Sequence, residues 1–279
     1  MFQINVLHPK PAAEKPHARR AFLLTLLCAA LSASLFSPGH ARETSKPAED
    51  ANKLVILGLD NWPPFAGPDL PNQGFGIEVA STALKRAGYT VKKRVAPWGR
   101  LLSEAEKGVV HVLPNMWHSP KREAVFSMSS PYHFNKLVLV SRKDSGLVPR
   151  NLDSLVGLRV GTLKNSAYPA LFMNDNRHHK QEVLEQSQNV KKLADNRVDA
   201  VIGDETVLKY LIKDQHLPLK DFCFQQKPLQ ITPMHIGVSR LHPDHAQLVR
   251  ILDSEIAAMK SDGTFTEILQ RHKLDEETP

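Results

Sequence analysis

Short runs rich in Val, Ile and Leu alternate along this chain with longer segments whose apolar residues recur every three or four positions, and the alternation runs through twice. The first round comprises a β-rich run at Leu54-Val55-Ile56-Leu57, a helical pattern over Ile77–Ala87, and a second run at Val91–Val95. A helix opened by Pro97-Trp98 and reaching Ala105 follows, then a third run at Val109–Leu113. Gly88 and Gly108 stand where helix ends favour glycine. Strand, helix, strand, helix, strand in this order predicts right-handed crossovers and a mainly parallel α/β sheet. Leu137–Val140 is a further strand leading into the second round. That round comprises strands at Leu158–Gly161 and Val198–Ile202 and helices over Ser166–Met173, Gln188–Asn196 and Thr206–Lys213. Met234–Ser239 reads as a strand returning to the first half, followed by a long helix over Pro243–Lys260 and a short one ending near His272. No repeat with a period of roughly 20–50 residues appears, which excludes a solenoid.

The N-terminus reads as a signal peptide rather than as part of the fold. Arg19 and Arg20 precede a mostly apolar run from Ala21 to Phe36, Ser37-Pro38 ends it, and the small-x-small triplet Gly39-His40-Ala41 offers a cleavage site. The run falls short of the roughly 20 apolar residues of a membrane span. The paired arginines fit a twin-arginine signal and a Sec signal equally. Cys28 within the run follows Leu27, which speaks against lipid attachment. Removing 41 of 279 residues leaves 238, enough for two lobes, with residues 42–52 a polar, disordered lead-in.

The formal charge of +7 is partly a property of the leader: beyond residue 41, 32 basic residues stand against 28 acidic ones, or +4. No dense basic run with interleaved aromatics follows, so nucleic-acid binding is not expected, and no later segment is apolar enough to insert in a bilayer. Cys223 is the only cysteine left, so no internal disulfide forms; between Phe222 and Phe224 it reads as a buried apolar residue. Thirteen histidines raise the question of a metal. His178-His179 are adjacent, and His242 and His245 lack a further ligand, so solvated loop histidines are expected and neither metal nor cofactor.

The stretch His118-Ser119-Pro120-Lys121-Arg122 places an arginine just past a predicted strand, in a loop turned by serine and proline. A planar guanidinium fixed there suits a carboxylate, to which it donates two parallel hydrogen bonds. With Met128-Ser129-Ser130-Pro131-Tyr132, this stretch resembles the Thr-Pro-x-Arg and Phe-Ser-x-Pro-Tyr signature of the bacterial extracellular solute-binding proteins of family 3. Ser119 stands in the Thr place and Met128 in the Phe place. Further similarities occur in order at Trp62-Pro63-Pro64-Phe65, Gly74–Ala80, Leu155–Gly161, Val198–Asp204 and Met259–Thr264, so the resemblance covers roughly residues 53–275.

The resemblance implies a two-lobed periplasmic-binding-protein type II fold: mainly parallel sheets, flanking helices and a hinged cleft. Lobe 1 is expected over 53–141 with 236–279, and lobe 2 over 142–235. It further implies a monomeric periplasmic protein that captures an amino acid or similar small carboxylate for an ABC-type permease, without catalysis. In that frame Arg122 takes the ligand carboxylate, and Asn165 and Ser166 offer backbone N–H groups and a hydroxyl to the same anion. Asp204 accepts from an ammonium, and Trp62, Phe65 or Trp117 shape the cleft. The residues themselves leave alternatives open. Arg122 could instead cap a helix or pair with Glu123 or another surface carboxylate, Asp204 is a natural N-cap for the helix at Thr206, Trp62 and Phe65 would pack on the core, Trp98 reads as core, and Glu78 as a first-turn or surface charge.

The chain departs from the family pattern at His111, where aspartate is usual, at Pro114–His118, which replaces a smaller glycine-containing approach, and at Asn165, where glycine is common. Asparagine tolerates left-handed backbone angles better than most residues. Two other functions fit the same resemblance. One is a cyclohexadienyl-dehydratase-like enzyme, with His118, Glu205 or His133 as general acid; the other is a soluble sensor acting through a membrane partner.

Overall fold

The computed structural model describes residues 53–275. The expected signal peptide and lead-in lie outside the described residues. Strands β1 (Leu54–Leu59), β2 (Thr90–Val95) and β3 (Val112–Trp117) run parallel in the order β2-β1-β3. Strands β6 (Arg159–Leu163), β7 (His179–Val183) and β8 (Ala200–Asp204) run parallel in the order β7-β6-β8. Two ten-residue strands, β5 (His133–Arg142) and β10 (Gln230–Ser239), join these halves. They pair antiparallel from Gln230↔Leu137 to Met234↔His133. Beyond that ladder β10 continues against β3, and β5 against β8. At about 33 Å each, by the rise of an extended chain, they are long enough to serve both sheets. Two short strands, β4 (Phe126–Met128) on β10 and β9 (Phe222–Phe224) on β5, complete the sheet.

The helices are α1 (Phe75–Arg86), α2 (Trp98–Ala105), α3 (Pro120–Glu123), α4 (Ala170–Met173), α5 (Gln186–Ala194), α6 (Glu205–Asp214), α7 (His245–Ser261) and α8 (Thr264–Arg271). Helix α1 packs against α7 and α8. It buries Phe75, Ile77, Val79, Ala80, Ala83 and Leu84, the face that its apolar spacing specifies. Among the described residues no helix is long and apolar enough to cross a membrane.

Several elements differ from expectation, each for a local reason. The third strand starts at Val112 and continues through Pro114, Asn115 and Trp117, where a loop was expected. All six of its residues are buried, so a two-residue alternation is absent. Tyr132 Oη donates to the Pro114 carbonyl (2.7 Å), and Trp117 Nε1 to Asn135 Oδ1 (2.8 Å). Helix α4 begins at Ala170 rather than Ser166, with Pro169 in extended conformation at its N-cap. Strand β7 is an edge strand of polar sequence, His-Lys-Gln-Glu-Val, which carries no apolar signal. Cys223 is half-buried rather than buried, because β9 is a three-residue strand at the sheet margin.

Glu78 is not a surface charge. Its carboxylate accepts from Asn72 Nδ2 (2.8 Å) and Arg271, and its other oxygen meets His272 Nε2 at 2.8 Å, fastening α1 to the end of α8. The histidines likewise are not all solvated: His133, His178, His242 and His272 are buried, His133 packing on Phe65 and Phe75 and His178 stacking on Phe172. Glu78→Ala would leave His272 buried beside a half-exposed Arg271 with no carboxylate between them. A loss of about 2 kcal/mol in urea unfolding is expected. A change under about 0.5 kcal/mol would mean the cluster contributes nothing to stability.

Candidate functional site

The carboxyl ends of β1, β3, β6 and β8 converge on one cleft between the two halves of the sheet, the place where open α/β sheets present ligand-contacting loops. Asp60 follows β1 directly, Trp117 ends β3, Leu163 ends β6 and Asp204 ends β8. With Trp62, Trp98, Asn115, Arg122, Ser166, Tyr168, Gln186 and Gly203, these line a chamber of about 40 Å³. One water needs roughly 10–15 Å³ by this measure. The chamber therefore has room for more than one water.

Arg122 is set by its own short helix. Ser119 caps α3 and its hydroxyl accepts from the Arg122 N–H at 3.3 Å, while Pro120 stands at the first helical position, where a missing N–H is harmless. The side chain is 8 % exposed. Nη1 donates to the Trp117 carbonyl at 2.7 Å and Nη2 to the Asn165 carbonyl at 2.9 Å; the guanidinium lies 5.1 Å from the Trp98 ring centroid. Glu123, the alternative surface partner, instead meets His118 at 3.3 Å, and among the described residues no carboxylate pairs with Arg122. Burial pulls its pKa down to about 10, so it stays a cation at neutral pH.

Two carboxyl groups face the same chamber. Asp204 is 2 % exposed; its Oδ1 accepts from the Val207 N–H at 2.9 Å, so it caps α6 and lines the chamber at once. Burial pushes its pKa up to about 7, and the capping N–H opposes that only in part. Asp60, half-buried where the chamber opens, is likewise pushed up to about 7 by desolvation, with its own backbone N–H opposing.

The other expected site residues divide. Trp62 lines the chamber from a tight Trp62–Ala66 loop, its ring edge-on to Trp117 at 5.8 Å. Ser166 lines it too, but its N–H donates to Leu163 O at 3.3 Å and is not free for an anion. Asn165 adopts φ +62°, the left-handed region asparagine tolerates, and aims its carbonyl, not its N–H, at Arg122. That carbonyl also accepts from Trp98 Nε1 at 3.3 Å, so the α2 edge and Arg122 share one acceptor across the cleft. Gly99 permits the approach, since a Cβ there would meet Asn165 Nδ2 at 2.6 Å. Phe65 is no part of the chamber: it is fully buried against Trp62, Phe75 and His133, because its loop folds back onto the core. Trp98, read as core, is a half-buried chamber wall.

The sequence reading missed Asp60, Asn115, Leu163, Tyr168, Gln186 and Gly203. Only Asp60 carried a signal, as an acid directly after a buried strand. The general-acid candidates stand outside the chamber: His118 pairs with Glu123 on the surface, Glu205 with Lys209, and His133 sits in the aromatic core, its pKa pulled down to about 4 by burial.

This arrangement of strands and cleft is shared with known proteins. Residues 54–275 match the model of the bacterial extracellular solute-binding proteins, family 3. The chain belongs to that family. Among relatives, an arginine-binding extracellular protein of Bacillus subtilis (strain 168) is 26% identical over 206 residues, covering 70% of this chain and 76% of the relative. An L-cystine-binding protein of Escherichia coli (strain K12) is 23% identical over 262 residues, covering 91% and 96%. Among solved structures, an ABC uptake transporter substrate-binding protein from Streptococcus pneumoniae with bound histidine superposes with a TM-score of 0.72 at 22% identity, covering 82% of this chain and 96% of that one. The expected two-lobed type II fold is therefore the fold observed, and the family role is solute binding.

Proposed function

We propose that the protein is a monomeric periplasmic binder of an α-amino acid carrying net positive charge, delivered to an ABC-type permease. Residues 53–141 with 236–279 would form one lobe and 142–235 the other. The observation that carries the ligand class is the charge balance of the chamber. One buried cation, Arg122, held by two carbonyls and the Trp98 ring and by no carboxylate among the described residues, shares the chamber with two desolvated carboxyls, Asp204 and Asp60. A small zwitterion entering there must meet a partner for each of its charges. The ligand carboxylate would take the Arg122 fork in place of the carbonyls, with the Ser166 hydroxyl beside it. Its ammonium would take Asp204, and Asp60 is left for a second cation. Trp62, Trp98 and Trp117 would flank the ligand stem. The arginine-binding relative agrees with this balance.

A thermal-shift panel on the exported chain tests it, with arginine, lysine, alanine, glutamate and cyclic carboxylates. A ligand at 100 times its Kd adds about 2.7 kcal/mol to the folded state, so binders should stand out, with arginine and lysine giving the largest shifts. A larger shift with glutamate would overturn the charge assignment. One observation favours a second reading: Asp60 and Asp204, raised to about 7, are protonated enough near neutrality to act as general acids, as a dehydratase-like reaction on a cyclic carboxylate would need. Formation of product in the same incubations would support that enzyme.

A further inference from the structure

The chamber does not end at Asp60. Asp60, Trp62, Trp98, Leu163 and Gln186 line both it and a second, outer groove of about 340 Å³. The groove lies between the loop after β2 and the loop after β7, and its other walls include Pro68, Val95, Pro97, Leu184 and Glu185. Val95 is 49% exposed and Leu184 63% exposed, so each leaves apolar surface toward water at the groove. The groove is lined mostly by apolar atoms, with the Asp60 carboxyl where it meets the chamber and Glu185 also on its wall.

Resting on the amino-acid-binding reading above, we propose that this groove is a subsite for the far end of an elongated ligand. Its occupant is an α-amino acid whose cationic side chain carries a further alkyl extension, longer than arginine or lysine. The head group would sit between Arg122 and Asp204. The side-chain cation would pass Asp60 between Trp62 and Trp98, where a carboxylate and aromatic faces both favour it. The alkyl extension would lie against Val95, Pro97 and Leu184, exchanging water for apolar contact. Charge complementarity at Asp60 and the continuity of the two cavities select this occupant over a wholly apolar one, whose stem would leave that carboxyl unpaired.

The test is isothermal titration with arginine and with Nω-methyl-, ethyl- and propyl-arginine. Affinity is expected to rise along the series, up to about fourfold per methylene buried. In the Val95→Asn and Leu184→Asn variants, which remove apolar surface without adding charge, the gain with chain length should disappear while arginine itself binds as before, because neither residue lines the chamber. Substituted arginines that bind more than tenfold weaker than arginine would overturn the proposal and leave the amino-acid reading intact. A length-dependent gain that survives both variants would also overturn it. No binding by any member of the series, nor by other amino acids, would remove the underlying reading and the subsite with it.

Discussion

Arg122→Ala is expected to weaken amino-acid binding by about 2–4 kcal/mol, roughly 30- to 1,000-fold, with circular dichroism unchanged. The loss follows from the position of the side chain. A ligand carboxylate that leaves water for the chamber would trade its hydration for the guanidinium fork. With the fork removed, it would face the Trp117 and Asn165 carbonyls, which repel it. Arg122→Lys separates charge from geometry: an ammonium keeps the positive charge but not the two parallel donors, so an intermediate loss of about tenfold is expected. Titration calorimetry with a ligand from the thermal-shift panel measures both. Equal affinity for wild type and Arg122→Ala would remove the arginine from the binding site.

Asp204→Asn is expected to act in opposite directions on stability and on binding. In the unliganded protein the Asp204 carboxyl is raised to about 7 by burial; an unfolded chain has it near 3.9. Between these values the folded state holds a proton that the unfolded state gives up, so stability falls as pH rises from about 4 to about 7, and the penalty is fully present above that. At about 1.4 kcal/mol per unit the penalty has an upper limit of about 4 kcal/mol. Asparagine carries no charge at any of these pH values and caps helices as well as aspartate does. The variant should therefore melt several degrees higher than wild type at pH 8 and converge with it near pH 4. Its affinity for an amine-bearing ligand should fall while that for a plain carboxylate is spared. In wild type a bound ammonium would pull the carboxyl back down, so affinity should weaken as pH drops from 8 to 6, with proton release on binding near pH 7. Equal melting temperatures at pH 8, or equal losses for amine and non-amine ligands, would count against this placement of Asp204.

Much of the scaffold was legible because its signals are local. The run Leu54–Leu57, the helical spacing of Ile77, Ala80 and Leu84, and the segment Val198–Ile202 each specify their element within a few residues. Legibility failed where burial covers both faces, as in β3, whose Pro114 and Asn115 resemble a loop, and at a polar sheet edge, as in β7. The site divides in the same way. Arg122 and Asp204 lie in motifs with their own local geometry, a serine-capped turn and a strand-to-helix junction. Tyr168 and Gln186 join the chamber only through the packing of distant segments, and Phe65 leaves it because its loop turns inward. No spacing in the sequence encodes either outcome.

The paired ladder of β5 and β10 restricts how the two lobes can move. Slipping it by one residue would turn every side chain to the opposite face, burying what is now outside. A shear along the strands is therefore closed off, and only bending and twisting of a two-stranded ribbon remain. The ribbon thus ties the two sides of the cleft to the alignment seen here, in which Trp98 and Arg122 reach a single carbonyl of Asn165.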